Sequence, residues 1–422
     1  MAIKALDGES KLHVVMFPWL AFGHIIPFFE LSKFIAQKGH KITFISTPRN
    51  IDRLPKLPPD LVSSVALVKI PLPKLEGLPE NAEATMDVRP EDVEHLKKAY
   101  DGMEDDLARF LENSDADVII YDFAPYWLPP IATRLGISRF FFSIFNAWFL
   151  AFLGTTNALI NGLEGRTRQE DFLAPPEWVT FETKVAYRLY EANWVLGAAG
   201  TNASGFSDTY RAGKAIAGCN AMIIRHCNEF EPKWLKLLEE LHQKERPNKR
   251  IGPWPRTLGV AFSLGTQKAR RSAEEDTIEL PEGFEERTKG RGIVWKNWAP
   301  QLKILGHEAV GAFLTHCGWS SIVEGLMFGR PLVMLPFQID QGLNARVLAD
   351  KQVGMEVPRN EHDGSYTRNA VAESVRMVMV DGVGRKLRDT AKATSAQFGD
   401  RELHDGYLDN FVEYLENLEH KP

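Results

Sequence analysis

The sequence of 422 residues has few of the features that mark extracellular, membrane or nucleic-acid-binding proteins. Its three cysteines, Cys219, Cys227 and Cys317, are too few for a disulfide framework and lack the spacing of zinc ligands. A net charge of −6 disfavours a nucleic-acid partner. The most apolar segment, residues 140–153, is too short to span a bilayer, and the first residues are polar. These absences predict a cytoplasmic protein without a membrane span.

The motifs of the commoner nucleotide-dependent enzymes are absent too. No G-x-G-x-x-G and no Walker A loop occurs, which disfavours a dinucleotide oxidoreductase and ATP-driven chemistry. The only D-x-D-like pair, Asp115 and Asp117, precedes an apolar run instead of following it. A turn is therefore a better interpretation of this pair than a metal site, and we expect no metal cofactor.

What the sequence does contain is a repeated alternation of apolar runs and amphipathic stretches. Such alternation predicts an α/β protein with parallel sheets. The predicted strands of the first half are residues 12–17, 41–47, 64–70, 117–122, 139–144 and 220–226. After a proline-rich stretch at 242–257, further strands are predicted at 258–262, 292–296, 309–315, 331–337 and 354–358.

These patterns divide the chain into two lobes. We expect a first domain over residues 1–241, a linker over 242–257 and a second domain over 258–402. A final helical segment, 403–422, is expected to pack back on the first domain. In doubly wound folds ligands lie at the carboxyl ends of the strands, so both lobes should face one cleft there.

The stretch AFLTHCGWSSIVEG, residues 312–325, places polar groups where a predicted strand meets a helix. The amides of a helix N-terminus attract anions, and His316, Ser320 and Ser321 could add donors for a phosphate. Ser321 and Glu324 also have the spacing of a helix capping box, which is the alternative interpretation. Neighbouring residues favour a ligand site, because Asp340 and Gln341 follow the next strand.

Residues 298–341 closely resemble the donor-binding signature of plant UDP-dependent glycosyltransferases, which have the two-lobed GT-B fold. The matching residues are Trp298, Gln301, Leu305, His307, Gly311, Phe313, Thr315, His316, Gly318, Trp319, Ser321, Glu324, Gly329, Pro331, Pro336, Asp340 and Gln341. The resemblance implies two Rossmann-like doubly wound α/β domains facing across a cleft.

The same resemblance implies a role for each donor-site residue. Trp298, beside Ala299, would stack on uracil, while Gln301 and Glu324 would bind the ribose. The diphosphate would meet His316 and Ser321, with Gly265 and Thr266 as further possible phosphate contacts. The residues themselves add Gly318, which lets the backbone approach a phosphate closely, and the hydroxyl of Ser320. Trp319, Asp340 and Gln341 would contact the sugar. A Gln at position 341 favours glucose over galactose.

In the first lobe, His24 opens a predicted helix just after the first strand, and Asp122 ends the strand at 117–122. Taken alone, the histidine could be a capping or packed residue and the aspartate a turn former. A histidine oriented by a carboxylate can instead remove a proton from a hydroxyl at neutral pH. Together the two residues resemble the catalytic dyad of the same family.

The segments LHVVMFPWLAFGHIIPFFELS, STPRNIDRLP and IYDFAPYW look most like the clade that adds a sugar to an existing sugar. The implied acceptors are glycosides of terpenoids, steroids or flavonoids. The predicted acceptor wall is aromatic and consists of Trp19, Phe22, Phe123, Tyr126, Trp127, Phe145, Trp148 and Phe149.

Two departures from the family pattern stand out. Ser320 occupies a position where the family usually has Asn. A strand-helix unit of roughly 30 or more residues is also missing after residues 258–262. Either the sequence omits a segment, or the second lobe is cut down and its sheet lacks a strand. Taken together, the motifs and the resemblance predict an inverting glucosyltransferase that uses UDP-glucose. UDP-rhamnose as donor, or a UDP-sugar-binding protein without activity, are the alternatives.

Overall fold

A computed structural model describes residues 11–242, 257–259, 282–292, 295 and 299–418. The strands of the first lobe are β1 His13–Phe17, β2 Lys41–Ser46, β3 Val65–Lys69, β4 Val118–Tyr121, β5 Ser138–Ser143, β6 Ala221–Ile224 and β7 Thr257–Gly259. They form one parallel sheet in the order β3-β2-β1-β4-β5-β6-β7. Because central strands such as β1 and β4 are buried along their whole length, apolar runs without alternation mark them in the sequence.

Helices of the first lobe lie between these strands, as parallel connections require. They are α1 Phe22–Gln37, α2 Pro48–Asp52, α3 Val93–Asp101, α4 Glu104–Glu112, α5 Leu128–Arg134, α6 Ala147–Leu153, α7 Thr156–Ile160, α8 Leu189–Ala199, α9 Asp208–Gly218 and α10 Pro232–Leu241. The strongly apolar segment 140–153 contributes β5 and α6 to the core, with Trp148 and Phe152 fully buried.

The second lobe has a smaller parallel sheet in the described part of the chain. Its strands are β8 Phe313–Thr315, β9 Leu332–Met334 and β10 Gly354–Glu356, in the order β10-β9-β8. Its helices are α11 Phe284–Thr288, α12 Gln301–Gly306, α13 Trp319–Met327, α14 Gln341–Asp350, α15 Arg368–Met379 and α16 Arg385–Phe398. The predicted strand at 292–296 lies largely outside the described residues.

One strand prediction is wrong in its placement. The run predicted to open the second lobe at residue 258 is described only at Thr257–Gly259, and this segment pairs with β6 of the first sheet. A short apolar run indicates a strand but carries no information about which sheet it will join. Most of the predicted linker at 242–257 lies outside the described residues.

The final helix, α17 Arg401–Glu416, packs on the first lobe. Asp400 caps its start by accepting a hydrogen bond from the amide of Leu403 at 3.0 Å. Phe411 and Leu415 then enter the core formed by α1 and one face of the first sheet, and the Phe411 ring meets Phe140 edge-on. The chain therefore ends by tying the second lobe to the first.

Buried contacts also join the lobes beside the cleft. The rings of Trp148 and Trp319 pack edge to face with centroids 5.0 Å apart. Nearby, the Arg346 guanidinium lies 2.6 Å from the Glu191 carboxylate, and the two side chains are only 10% and 5% exposed. Such a pair fixes orientation as well as proximity, since breaking it would leave a buried charge. No helix in the described ranges is long and apolar enough to cross a membrane.

Candidate active site

The candidate site residues named below lie at the carboxyl ends of both parallel sheets. In the first lobe His24 follows β1, Asp122 follows β4 and Phe145 follows β5. In the second lobe His316 follows β8 and Asp340 lies beyond β9. The loop after β5 reaches both groups, because Phe145 packs on His24 while Trp148 packs on Trp319.

His24 and Asp122 form a hydrogen-bonded pair. The Nδ1 atom of His24 lies 2.9 Å from Oδ2 of Asp122, and both side chains are buried. The same Oδ2 accepts the amide of Trp19 at 2.7 Å, while Oδ1 accepts the amide of Ala124 at 3.1 Å. Because two backbone amides hold the carboxylate, it can fix the imidazole tautomer and leave Nε2 as a proton acceptor.

Aromatic rings surround the His24 imidazole. The centroids of Phe123 and Phe145 lie 5.7 Å and 6.1 Å from that of the imidazole, and the Phe145 ring contacts Phe149. Phe22, Phe123 and Phe145 are only partly buried, so they can present apolar surface to a ligand. An apolar acceptor could therefore bind beside the histidine, which stays a prediction.

Other aromatics of the predicted wall have different places. Trp127 and Trp148 are buried, and their indole N–H groups bond to Asp101 at 3.2 Å and to Asn344 at 2.8 Å. An indole that satisfies its N–H inside the core is held there and does not line the wall. Tyr126 packs against Phe206 of the first lobe. Trp19 contacts the site through its amide, which bonds to Asp122, and through its ring, which packs edge-on against Phe123. The predicted acceptor role for Trp127 and Trp148 thus conflicts with their positions.

The junction between β8 and α13 has an unusual backbone. Cys317 has a φ of 68°, a left-handed conformation that is rare outside glycine, and Ile339 before α14 has a φ of 54°. Both residues lie in strand-to-helix connections at the cleft, where strained backbone tends to occur in functional sites. These turns direct the N-termini of α13 and α14 toward the cleft.

Gly318 brings His316 close to the start of α13. A Cβ atom on Gly318 would lie only 2.5 Å from Nε2 of His316, so the imidazole can lie over this backbone only because residue 318 is glycine. The imidazole and the first amides of α13 therefore form one cluster of possible donors. Its chemistry suits an anion such as a phosphate.

Two polar pairs flank this helix. Nε2 of Gln301 donates to the buried carboxylate of Glu324 at 2.6 Å, which brings together the two predicted ribose ligands. At the start of α14, Asp340 accepts a hydrogen bond from Asn344 at 2.8 Å, and Oε1 of Gln341 accepts the amides of Phe337 and Gln338. Burial raises the pKa of Asp340 to about 6, although the bond from Asn344 opposes the shift.

Asp115 and Asp117 precede β4 and lie at the amino ends of the strands of the first sheet, opposite the cleft. Asp115 bonds to Nδ1 of His13 at 2.6 Å and to Lys41 at 3.0 Å, while Asp117 accepts the amide of His13 at 2.7 Å. Hydrogen bonds from Lys41 and His13 lower the pKa of Asp115 to about 2. The two aspartates connect neighbouring strands and lie far from the cleft edge.

Comparison with known proteins identifies the family. Residues 279–385 match the family described as UDP-glucoronosyl and UDP-glucosyl transferase. The chain is 44% identical over 460 residues to UDP-glycosyltransferase 91D1 of Stevia rebaudiana, with 97% of this chain and 94% of that protein covered. The chain belongs to the plant UDP-glycosyltransferases. It is also 38% identical to the soyasaponin III rhamnosyltransferase of Glycine max, with 98% of each covered.

Solved structures agree on the architecture. The Glycyrrhiza uralensis enzyme UGT73P12, complexed with glycyrrhetinic acid 3-O-monoglucuronide, superposes with a TM-score of 0.73 at 19% identity, covering 96% of each chain. The predicted GT-B fold is therefore confirmed. This glycosyltransferase is an enzyme that uses a UDP-sugar donor and a small-molecule acceptor.

The chain is shorter than its relatives within the aligned region. The alignment to the Stevia protein spans 460 positions, but 97% of 422 residues take part, so about fifty aligned positions have no counterpart here. This shortening agrees with the missing strand-helix unit. The predicted phosphate contacts Gly265 and Thr266, and the predicted uracil platform Trp298, lie outside the described residues, while Ala299 precedes α12.

Two cleft residues were missed by the sequence analysis. Asn344 receives bonds from Asn146 and Trp148 of the first lobe and donates to Asp340, which connects the lobes through one amide. Arg225, directly after β6, donates to Ser320 at 2.9 Å. Arg225 follows a strand, so the rule that singled out Asp122 could have found it, whereas nothing in the sequence marks Asn344.

The close contact at Gly318 gives a testable prediction. In Gly318→Ala the new Cβ would displace the His316 imidazole, and we expect UDP affinity to fall about tenfold. Isothermal titration calorimetry with UDP measures this loss. Gly382→Ala, which places its Cβ in open space, should bind UDP as the parent does. Equal affinity of the two variants would contradict the proposed place of the phosphate.

Proposed function

We propose that this glycosyltransferase moves glucose from UDP-glucose to a sugar hydroxyl of a terpenoid, steroid or flavonoid glycoside, with inversion at the anomeric carbon. The observation that carries the proposal is the hydrogen bond between His24 and Asp122 at the cleft edge of the first sheet. A base held there can activate an alcohol against a donor bound at α13. The scarcity of cysteine agrees with a cytoplasmic enzyme.

The proposed reaction is a single displacement. Nε2 of His24 takes the proton of the acceptor hydroxyl as its oxygen attacks the anomeric carbon of the donor. The bond between that carbon and the diphosphate breaks, its electron pair leaves with UDP, and the α-linked donor becomes a β-glucoside. Asp122 stabilises the resulting imidazolium, and binding both substrates in one cleft lowers the entropic barrier.

The leaving diphosphate would be bound by the second lobe without a metal. The N-terminal amides of α13, the hydroxyl of Ser321 and the imidazole of His316 would act as donors to the diphosphate oxygens. Fixed donors of this kind stabilise the charge that develops in the transition state. Glu324 and Gln301, already paired, would bind the ribose hydroxyls, and Trp298 would contact the uracil.

Glucose is proposed as the sugar because Asp340 and Gln341 follow one another at the start of α14. A carboxylate and an amide can together bind neighbouring hydroxyls. The soybean relative is named a rhamnosyltransferase, which supports UDP-rhamnose as the second candidate donor. That relative's name also specifies a saponin acceptor, and this supports a glycoside acceptor here.

The experiment is a matrix of donors and acceptors. The enzyme is incubated separately with UDP-glucose and UDP-rhamnose, each with matched pairs of an aglycone and its glucoside, and products are read by mass spectrometry. A hexose increment on the glycosides, weaker or absent on the aglycones, is the expected result. A deoxyhexose increment alone would replace the proposed donor, and a preference for aglycones would refute the glycoside acceptor.

Product NMR then tests the stereochemistry and the site of attachment. The anomeric coupling of the new sugar should show a β-linkage, and an α-linkage would overturn single displacement. UDP binding without any product across the whole matrix would favour the alternative of a UDP-sugar-binding protein. The aromatic wall beside His24 disfavours that alternative, since a donor-binding protein has no need of an acceptor pocket.

A further inference from the structure

Arg225 is a buried cation at the boundary of the two lobes. It follows β6 in the first lobe, yet its side chain is almost fully buried and donates Nη1 to Oγ of Ser320 in α13 at 2.9 Å. Its Nε atom is buried and has no hydrogen-bond partner among the described residues. Burying a guanidinium with an unpaired donor is costly unless an anion compensates it.

The surroundings of Arg225 supply little of that compensation. Burial lowers the pKa of Arg225 to about 10, and the carboxylate of Glu324 opposes the shift only in part. Glu324 is itself engaged by Gln301. Arg225 thus adds a cation to the start of α13, where amides and His316 already lie. It also adds its Nε donor, which has no partner in the described part of the chain.

The position that Arg225 contacts is also where the chain departs from its family. Ser320 stands one residue into α13, where an Asn side chain would reach further toward a ligand over the helix start. Serine is shorter than asparagine, and Arg225 contacts it from the opposite lobe. A guanidinium has the geometry and the charge to bind a phosphate.

We propose that Arg225 is a donor-binding residue that reaches across the cleft and binds the diphosphate beside Ser320. The inference rests on the proposed function only in placing the UDP-sugar at the start of α13. Bound diphosphate would satisfy the buried guanidinium and would link first-lobe residues to the donor. Binding of UDP would thereby favour the closed arrangement of the lobes.

The test compares ligands with and without phosphate. In Arg225→Gln we expect UDP to bind about tenfold more weakly, while uridine, measured by NMR titration, binds as in the parent. Because a charge is removed from the contact, the salt dependence of UDP affinity should also become weaker. Arg225→Lys keeps the cation and should retain most of the affinity.

Two further variants separate this role from a structural one. Arg166 is another largely buried arginine of the first lobe and bonds to backbone carbonyls, so Arg166→Gln should lower the melting temperature without changing the ratio of UDP to uridine affinity. In the Arg225→Gln background, Ser320→Asn should restore part of the UDP affinity, because the longer amide can reach the same phosphate.

The outcomes distinguish this inference from the proposed function. Unchanged UDP affinity in Arg225→Gln, or equal losses for UDP and uridine, would overturn the role of Arg225 even if the parent transfers glucose normally. A parent enzyme that transfers a sugar other than glucose would overturn the donor assignment and leave this test intact. Failure of the parent to bind UDP at all would overturn both.

Discussion

Replacing His24 with alanine should lower the rate of sugar transfer by about three orders of magnitude and leave UDP affinity nearly unchanged. The imidazole is the proposed proton acceptor, and its Nδ1 bond to Asp122 keeps Nε2 available for the acceptor hydroxyl. The proposed UDP site lies mainly on α13 and α14 of the other lobe, so removal of the ring should not disturb it. Turnover under saturating substrates and calorimetry with UDP measure the two quantities.

A second buried histidine provides the control. His40 lies at the other end of β2, where Nδ1 accepts the amide of Leu12 at 3.2 Å and Nε2 lies 3.0 Å from Glu416. His40→Ala should therefore destabilise the attachment of α17 while the transfer rate per folded molecule stays close to that of the parent. Retained turnover in His24→Ala would refute the base, and loss of UDP binding would show structural damage instead.

The sequence predicted the core of the first lobe well because its strands are buried on both faces. Continuous apolar runs at 12–17 and 117–122 therefore marked β1 and β4, and the rule that ligands meet strand carboxyl ends placed His24 near Asp122. The local sequence was enough to place His24 near Asp122, because each residue follows a strand that the sequence marks and the two strands are neighbours.

Tertiary choices were less predictable. The local sequence does not predict that Thr257–Gly259 joins the first sheet, because pairing depends on which edge strand, here β6, is available. Trp148 and Phe145 have similar apolar contexts, but only the indole has an N–H, and Asn344 in the other lobe receives it. The contact of Arg225 could not be predicted either, because it joins the end of β6 in the first lobe to Ser320 of α13 in the second.

Asp340→Asn should stabilise the fold at pH 8 and reduce sugar transfer at the same time. Burial raises the pKa of Asp340 from its ordinary value near 4 to about 6, so the folded protein binds a proton more tightly than the unfolded chain. The protonated Asp340 carboxyl therefore contributes to the free energy of unfolding at low pH, and this contribution is lost as pH rises from about 4 through about 6. Above that range the buried carboxylate costs on the order of 1–3 kcal/mol, which the neutral amide removes.

The same carboxylate is the proposed acceptor for a donor-sugar hydroxyl, so the variant should lose about two orders of magnitude in kcat/KM for transfer. Parent activity should also fall as pH drops below about 6, where Asp340 gains a proton. Chemical denaturation at pH 4 and pH 8 measures the first effect, since the stability difference should shrink toward pH 4. Asp350→Asn, an exposed change at the end of α14, should alter neither quantity.

A variant that is stabilised at pH 8 yet fully active would mean that Asp340 is a buried structural acid and that the sugar binds elsewhere. One that loses activity without gaining stability would mean that the carboxylate is charged at little cost, with Asn344 compensating it.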